Sequence, residues 1–186
     1  LSKLIATAAV GAMIVGFFAR DFIKGVLFKP EIVCFALIAG GLVLLVVDDL
    51  KLEGAKDDVM QFSIPMAVKI GLFQCLAMVP GVSRSGATIV GAMLMGASKR
   101  AAADFSFFLA MPTMAAAFGY DLLKSYKMLN ADDITLIVIG FVAAFVSGLI
   151  VVRGFLGFIS KHGFGIFAWW RIIVGCLGLA GLWVFG

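Results

Sequence analysis

Apolar stretches of about twenty residues recur along this whole chain, separated by short charged segments, and few folds can accommodate that pattern. An α-helix needs about 20 residues to cross a hydrocarbon core of about 30 Å. One block runs from about Leu4 to Ile23 and ends at Arg20, Asp21 and Lys24. A second covers Glu31 to Val47, with Pro30 suited to a first helical turn. The charged stretch Asp48–Asp58 reads as an aqueous loop. Further blocks span about Asp104–Leu123, Ile134–Val152 and Phe167–Phe185. Trp169 and Trp170 stand near one end of the last block and Trp183 near the other, as in the aromatic belts of membrane interfaces. Composition agrees: 63% of the residues are hydrophobic and 14% charged, against roughly 45–50% and about 25% in soluble domains. Too few charges remain to cover a water-facing surface. That excludes a soluble globular enzyme, a disordered chain and a nucleic-acid binder. The 15 Lys and Arg against 11 Asp and Glu are scattered between apolar blocks and read as interfacial anchors. The fold class is therefore an all-α integral membrane protein.

One block differs from the rest. Val59–Ala97 is too long for a single span and too short for two spans joined by a water-exposed loop. In its middle lies Pro80-Gly81-Val82-Ser83-Arg84-Ser85-Gly86. Non-helical backbone at membrane depth is tolerated only where protein buries it or a wet cavity receives it. The economical reading is a re-entrant pair of half-helices, about Met60–Val79 and Ser85–Ala97, the alternative being two short spans with a surface loop at 80–85. The chain is thus expected to be one polytopic membrane domain over 1–186, with about five spanning helices and a re-entrant element at about 59–98. Small-residue pairs four apart, Ala87 with Gly91 and Ala92 with Gly96, suit close packing of the second half-helix, as do Gly175, Gly178 and Gly181 on the last span. Pro112 should kink its helix by removing a backbone hydrogen bond. Cys34, Cys75 and Cys176 lie in apolar stretches without a CxxC pair and imply neither a disulfide framework nor a zinc site.

Arg84 is the residue that needs a reason. An arginine at the centre of a membrane helix costs about 2.5–3.5 kcal/mol on insertion scales, so it pairs with something or faces a cavity. Its guanidinium fork suits the oxygens of phosphate or carboxylate. Ser83, Ser85 and, one turn on, Thr88 surround it with hydroxyls. Gly81 and Gly86 let the backbone turn sharply and approach a ligand closely. A helix starting near Ser85 would aim its N–H groups and positive dipole end into the same space. Arginine, hydroxyls and a helix N-terminus together describe an oxyanion site, and phosphate fits it best. The plain structural alternative is an arginine that snorkels to an interface or pairs with a buried acid such as Asp104.

These residues also carry a resemblance. Pro80-Gly81-Val82-Ser83-Arg84-Ser85-Gly86-Ala87-Thr88-Ile89 resembles the PGxSRSGxT signature of the undecaprenyl-diphosphate phosphatases, the bacitracin-resistance family of bacterial inner membranes. Gln74-Cys75-Leu76-Ala77 before it, Gly91–Gly96 with Ser98 after it, and the segment Asp104–Pro112 are similar to the family as well. The resemblance implies hydrolysis of a C55 polyprenyl diphosphate to the monophosphate and inorganic phosphate, which recycles the lipid carrier for cell-wall synthesis. It implies catalytic roles for Ser83, Arg84 and Thr88. Arg84 would clamp the diphosphate, Thr88 and Ser85 would hold phosphate oxygens, and Ser83 would act as an orienting donor or as the nucleophile. Gly81, Ser85 and Gly86 would line the substrate. It further implies a multi-pass inner-membrane protein whose site opens to the outer face, a lipid diphosphate as partner, membrane lipids around it, and room for a homodimer.

The chain departs from the family in one respect. The family carries a second, N-terminal motif with two glutamates spaced ExxxE and a turn bearing serine and histidine. Here the glutamates are Glu31 and Glu53, in no such pair, and the single histidine is His162, read as a surface residue. With Leu1 at its start, the chain is expected to be a fragment of a longer one. The divalent cation, Mg or Ca, implied by the resemblance would then take its ligands from outside these residues. A transporter or flippase is the alternative function, because discontinuous helices whose N-termini face anionic substrates are also how secondary carriers bind.

Overall fold

The computed structural model describes residues 1–9, 29–49, 56–126 and 130–185. Within them, residues 2–9 are helical (α1). Six further helices follow: α2 (Pro30–Asp49), α3 (Ile64–Cys75), α4 (Arg84–Leu94), α5 (Lys99–Ser125), α6 (Ala131–His162) and α7 (Gly165–Phe185). Among the described residues no strand forms, and α2, α5, α6 and α7 are long and apolar enough to cross a membrane. The first expected span, about Leu4–Ile23, and the middle of the loop expected at Asp48–Asp58 fall largely outside the described residues, and Asp48 and Asp49 belong to the last turn of α2.

Local chemistry sets the helix boundaries. Pro30 opens α2, where its missing N–H costs nothing. The side chains of Ser63 and Ser98 accept hydrogen bonds from Met66 N and Ala101 N and so cap α3 and α5. The Asp133 carboxylate accepts from Asn130 N at 2.9 Å at the start of α6. Gly163, at φ +70°, ends α6 and folds the chain back into α7.

The expected re-entrant element is α3 and α4, joined by a 3-10 turn at Leu76–Met78 and the turn through Gly81. The two helices have 12 and 11 residues, or roughly 18 and 16 Å at the α-helical rise. Neither spans a bilayer alone. The segment leading in also meets the segment leading out. Lys56 N donates to Gly96 O at 2.8 Å and Ser98 N to Lys56 O at 3.0 Å, so the two ends of the element are joined.

α4 sits at the centre. Ala87 to Met93 are all buried, enclosed by α3, α5 and α2. Gly91 allows this on one side, since a Cβ there would lie 2.7 Å from the Phe73 ring. Gly96 plays a different part from the one its spacing suggests. It sits at φ +85° with open space around it and turns the chain into α5. Phe105, Leu109, Ile70 and Met93 fill the core between α3, α4 and α5.

α2 and α7 form the second packed pair. A Cβ on Gly41 would meet Ile172 Cγ1 at 2.7 Å, one on Gly175 would meet Ile38 Cγ1 at 2.7 Å, and one on Gly178 would meet Cys34 Sγ at 2.6 Å. Gly175 and Gly178 are thus interface glycines, whereas Gly181 faces open space. Asp48 ties this pair to α5. Its carboxylate bonds Lys99 Nζ at 2.7 Å, at the start of α5, and accepts from Phe164 N at 2.9 Å, just before α7. α6 carries its apolar surface outward. Phe141, Phe145 and Ile150 are exposed, as are Trp169, Trp170 and Trp183 on α7, which is the surface a lipid environment accepts.

Candidate anion-binding site

The turn between α3 and α4 is where the two helix pairs meet. Gly81 is there because no other residue fits. Its φ is +93°, and a Cβ would press into the carbonyl oxygen of Val33 on α2. Ser83 then caps α4. Its hydroxyl oxygen accepts from Gly86 N at 3.1 Å and lies 3.1 Å from the Ser85 hydroxyl, while its carbonyl takes the first helical bond from Ala87 N. Of the four N–H groups that a helix leaves without internal partners, Ser83 satisfies one. Gly86 lets that cap close, since its would-be Cβ lies 3.2 Å from Ser83 Cβ.

Arg84 is half-buried and points into the bundle. Its Nε donates to Gln74 Oε1 at 3.3 Å, and its Nη2 donates to Leu109 O at 3.3 Å and to the Thr113 hydroxyl. α5 runs on as helix through Pro112, and the Leu109 carbonyl that Arg84 reaches lies one turn before Thr113 on the same helix. The Thr113 hydroxyl also bonds Leu109 O at 2.9 Å. The alternative pairing with Asp104 does not occur: that carboxylate faces Arg100 at 4.0 Å. Arg84 is therefore held by neutral acceptors and keeps its full charge. A guanidinium positioned in this way is set up to receive an anion.

Thr88 stands apart from the other signature residues. It is 1% exposed, its hydroxyl bonds Arg84 O and Ser85 O, and it lies 2.6 Å from the Ser106 hydroxyl on α5. Helical spacing places it one turn from Arg84, and the close α4–α5 packing then directs it at Ser106. Ser85 is exposed beside the cap. His162 stacks on Phe158 at 4.6 Å in the last, exposed turn of α6.

Three contributors lie outside the motif. Gln74 and Thr113 position Arg84. Arg171, inside the last apolar block, donates from Nη2 to Gly81 O at 2.8 Å. The signal for Arg171 was a charge inside the last apolar block, but its neighbours Trp169 and Trp170 make an interfacial anchor the ordinary reading. A cavity of about 390 Å³ opens beside the turn, bounded by Val43, Phe73, Val79, Val82, Ser83 and Arg171 among others. Its lining is almost wholly apolar, with the polar groups at the turn.

The donor set decides what the turn can hold. Hydroxyls, an amide and two guanidinium groups suit an anion. They do not fit a divalent cation, which needs oxygen ligands carrying negative charge. Among the described residues no three His, Cys, Asp or Glu side chains come together.

The chain is 57% identical over 183 residues to undecaprenyl-diphosphatase 1 of Agrobacterium fabrum, covering 98% of this chain and 68% of that protein. It is 54% identical over 178 residues to the undecaprenyl-diphosphatases of Rhodopseudomonas palustris and Nitrobacter winogradskyi, covering 96% of this chain and 66% of each. The chain thus spans about two thirds of the length of the curated relatives it matches. The family model for the bacitracin resistance protein BacA matches residues 1–177. The chain belongs to the bacitracin resistance protein BacA family.

Proposed function

We propose that this chain carries the phosphate-clamping part of a membrane phosphatase that hydrolyses undecaprenyl diphosphate. The observation that carries the reading is Arg84, held at the cap of α4 by Gln74, Leu109 O and Thr113 with no carboxylate paired to it among the described residues. Kinship with proteins named undecaprenyl-diphosphatase supports it. In the reaction, water adds to the terminal phosphorus and the bond from that phosphorus to the bridging oxygen breaks. The electron pair stays on the bridging oxygen, which leaves as part of the lipid monophosphate. Arg84 neutralises charge growing on that oxygen, the usual work of an arginine clamp on a transferring phosphoryl group.

Ser83 is an orienting donor in this reading. Its oxygen already accepts from Gly86 N, and no His, Asp or Glu touches it among the described residues to activate it as a nucleophile. One hydroxyl proton bridges Ser83 and Ser85, and the other is available to a phosphate oxygen. Thr88 acts indirectly, by locking α4 to α5. The apolar cavity takes the first isoprene units of the tail. We further propose that the carboxylates supplying acid–base chemistry, and ligands for a divalent cation, come from outside these residues. The protein would lie in the bacterial inner membrane with the site toward its outer face.

The test is inorganic phosphate release from C55 diphosphate by the full-length protein in detergent. Arg84→Ala should lower turnover at least about 10²-fold, the scale for removing one preorganised charge-stabilising donor. Undiminished turnover would remove Arg84 from the chemistry. Labelled diphosphate that crosses a proteoliposome membrane unaltered would establish transport instead.

A further inference from the structure

Arg171 sits in an expensive place for a charge. It lies in α7, its guanidinium packs into the α2–α7 interface, and its Nε is buried without a hydrogen-bond partner among the described residues. Neutralising or pairing such a group is the usual outcome, because a desolvated charge with unmet hydrogen bonds is destabilising. Here no carboxylate is paired with it among the described residues. The partner it has is the carbonyl of Gly81, at 2.8 Å, in the turn that delivers Ser83 and Arg84. A dedicated seat receives it on α2: a Cβ on Gly40 would lie 2.5 Å from Nη2 and 3.3 Å from Cζ. The guanidinium therefore fills the space that a side chain at Gly40 would occupy.

We propose that Arg171 is a positioning residue for the anion site, and that Gly40 exists to let it reach the turn. Gly81 has no side chain and a left-handed backbone, so its position depends on what holds its carbonyl. Arg171 holds it from α7, while Arg84 ties the other end of the turn to α3 and α5. The cap hydroxyl of Ser83 lies between these two anchors. Its placement relative to a bound phosphate follows from both. This inference rests on the phosphatase reading above and adds to it a residue that never touches the reacting atoms.

Gly40→Ala makes the idea testable without removing the arginine. The atoms that must yield are the far end of a flexible side chain, so the helix pair can keep its packing while the guanidinium leaves Gly81. The experiment measures kcat and KM for C55 diphosphate in the full-length protein, with thermal unfolding followed in parallel, for Arg171→Ala, Arg171→Lys, Gly40→Ala and the double variant Arg171→Ala/Gly40→Ala. Misplacement of reacting groups by about 1 Å is worth on the order of 10²-fold. Both alanine variants should lower kcat by about 10–100-fold with KM within about threefold. Arg171→Lys, which keeps a donor and the charge, should recover part of the loss. The double variant should be no worse than Arg171→Ala, because both changes act through one contact. Multiplying losses, an unchanged kcat in Gly40→Ala, or a rise in KM alone would each overturn the proposal, the last by making Arg171 a simple attractor of anions. If the wild-type protein releases no phosphate, the phosphatase reading fails and takes this one with it. Wild-type turnover with unaltered Arg171→Ala defeats this one alone.

Discussion

Replacing Thr88 separates two roles that the signature alone cannot distinguish. Its hydroxyl lies 2.6 Å from that of Ser106, both buried. Thr88→Val keeps the shape and removes the hydroxyl, leaving the Ser106 oxygen without this partner. In water-soluble proteins a buried polar group stranded in this way costs about 1–3 kcal/mol. Two effects lower the figure here. Interhelical hydrogen bonds in membrane bundles average about 0.6 kcal/mol with a maximum near 1.7, and a helical serine can turn to its own i−4 carbonyl. We expect about 1 kcal/mol. Removing both hydroxyls, in Thr88→Val/Ser106→Ala, deletes donor and acceptor together and should be nearly neutral, because nothing is left unsatisfied. Thermal unfolding in detergent and phosphate release should therefore move in parallel: both fall in Thr88→Val and both recover in the double variant. If stability recovers while turnover stays low, Thr88 touches phosphate directly and its role as an α4–α5 lock is refuted.

Two other contacts give sharp expectations. Gly81→Ala places a Cβ against the Val33 carbonyl at φ +93°; left-handed strain alone is about 1–3 kcal/mol, and relief requires the turn to move, so turnover should fall further than thermal stability does. Equal losses would mean that the turn geometry is irrelevant to activity. Asp48→Ala should lower the unfolding midpoint more than Asp48→Asn, because the amide still accepts from Phe164 N while losing the ion pair to the partly exposed Lys99; charged hydrogen bonds are worth about 1.5–3 kcal/mol and exposed pairs under about 1. Identical midpoints would show that the cap of α7 contributes nothing.

Much of this architecture was legible because membrane helices obey a length rule. The blocks at Glu31–Val47, Ile134–Val152 and Phe167–Phe185 sit within α2, α6 and α7, and the block too short for two spans is the one that folds back. The helix start expected near Ser85 is observed one residue earlier, with Ser83 as the cap of α4. What stayed hidden depended on tertiary neighbours. Thr88 and Ser106 are 18 residues apart, Arg84 and Thr113 are 29 apart, and Arg171 and Gly81 are 90 apart. No local period couples such positions. Gly40 was equally silent, since glycine is common in membrane helices whatever it faces. Pro112 is expected to kink its helix, and α5 continues as helix through it.

The electrostatic balance of the turn separates a binding site from a scaffold. On insertion scales each membrane arginine costs about 2.5–3.5 kcal/mol, and Arg84 and Arg171 converge on one turn where their partners among the described residues are neutral. A scaffold would gain by replacing both with apolar residues of similar volume, as buried charges generally allow. A unit negative charge about 4 Å from one guanidinium returns roughly 4 kcal/mol at an effective dielectric constant of 20, enough to offset one arginine. A diphosphate supplies that charge to Arg84, and hydrolysis leaves a lipid monophosphate with less. Arg84 therefore holds the diphosphate more tightly than the lipid product, while the charge of Arg171 is spent on holding the Gly81 carbonyl and with it the turn.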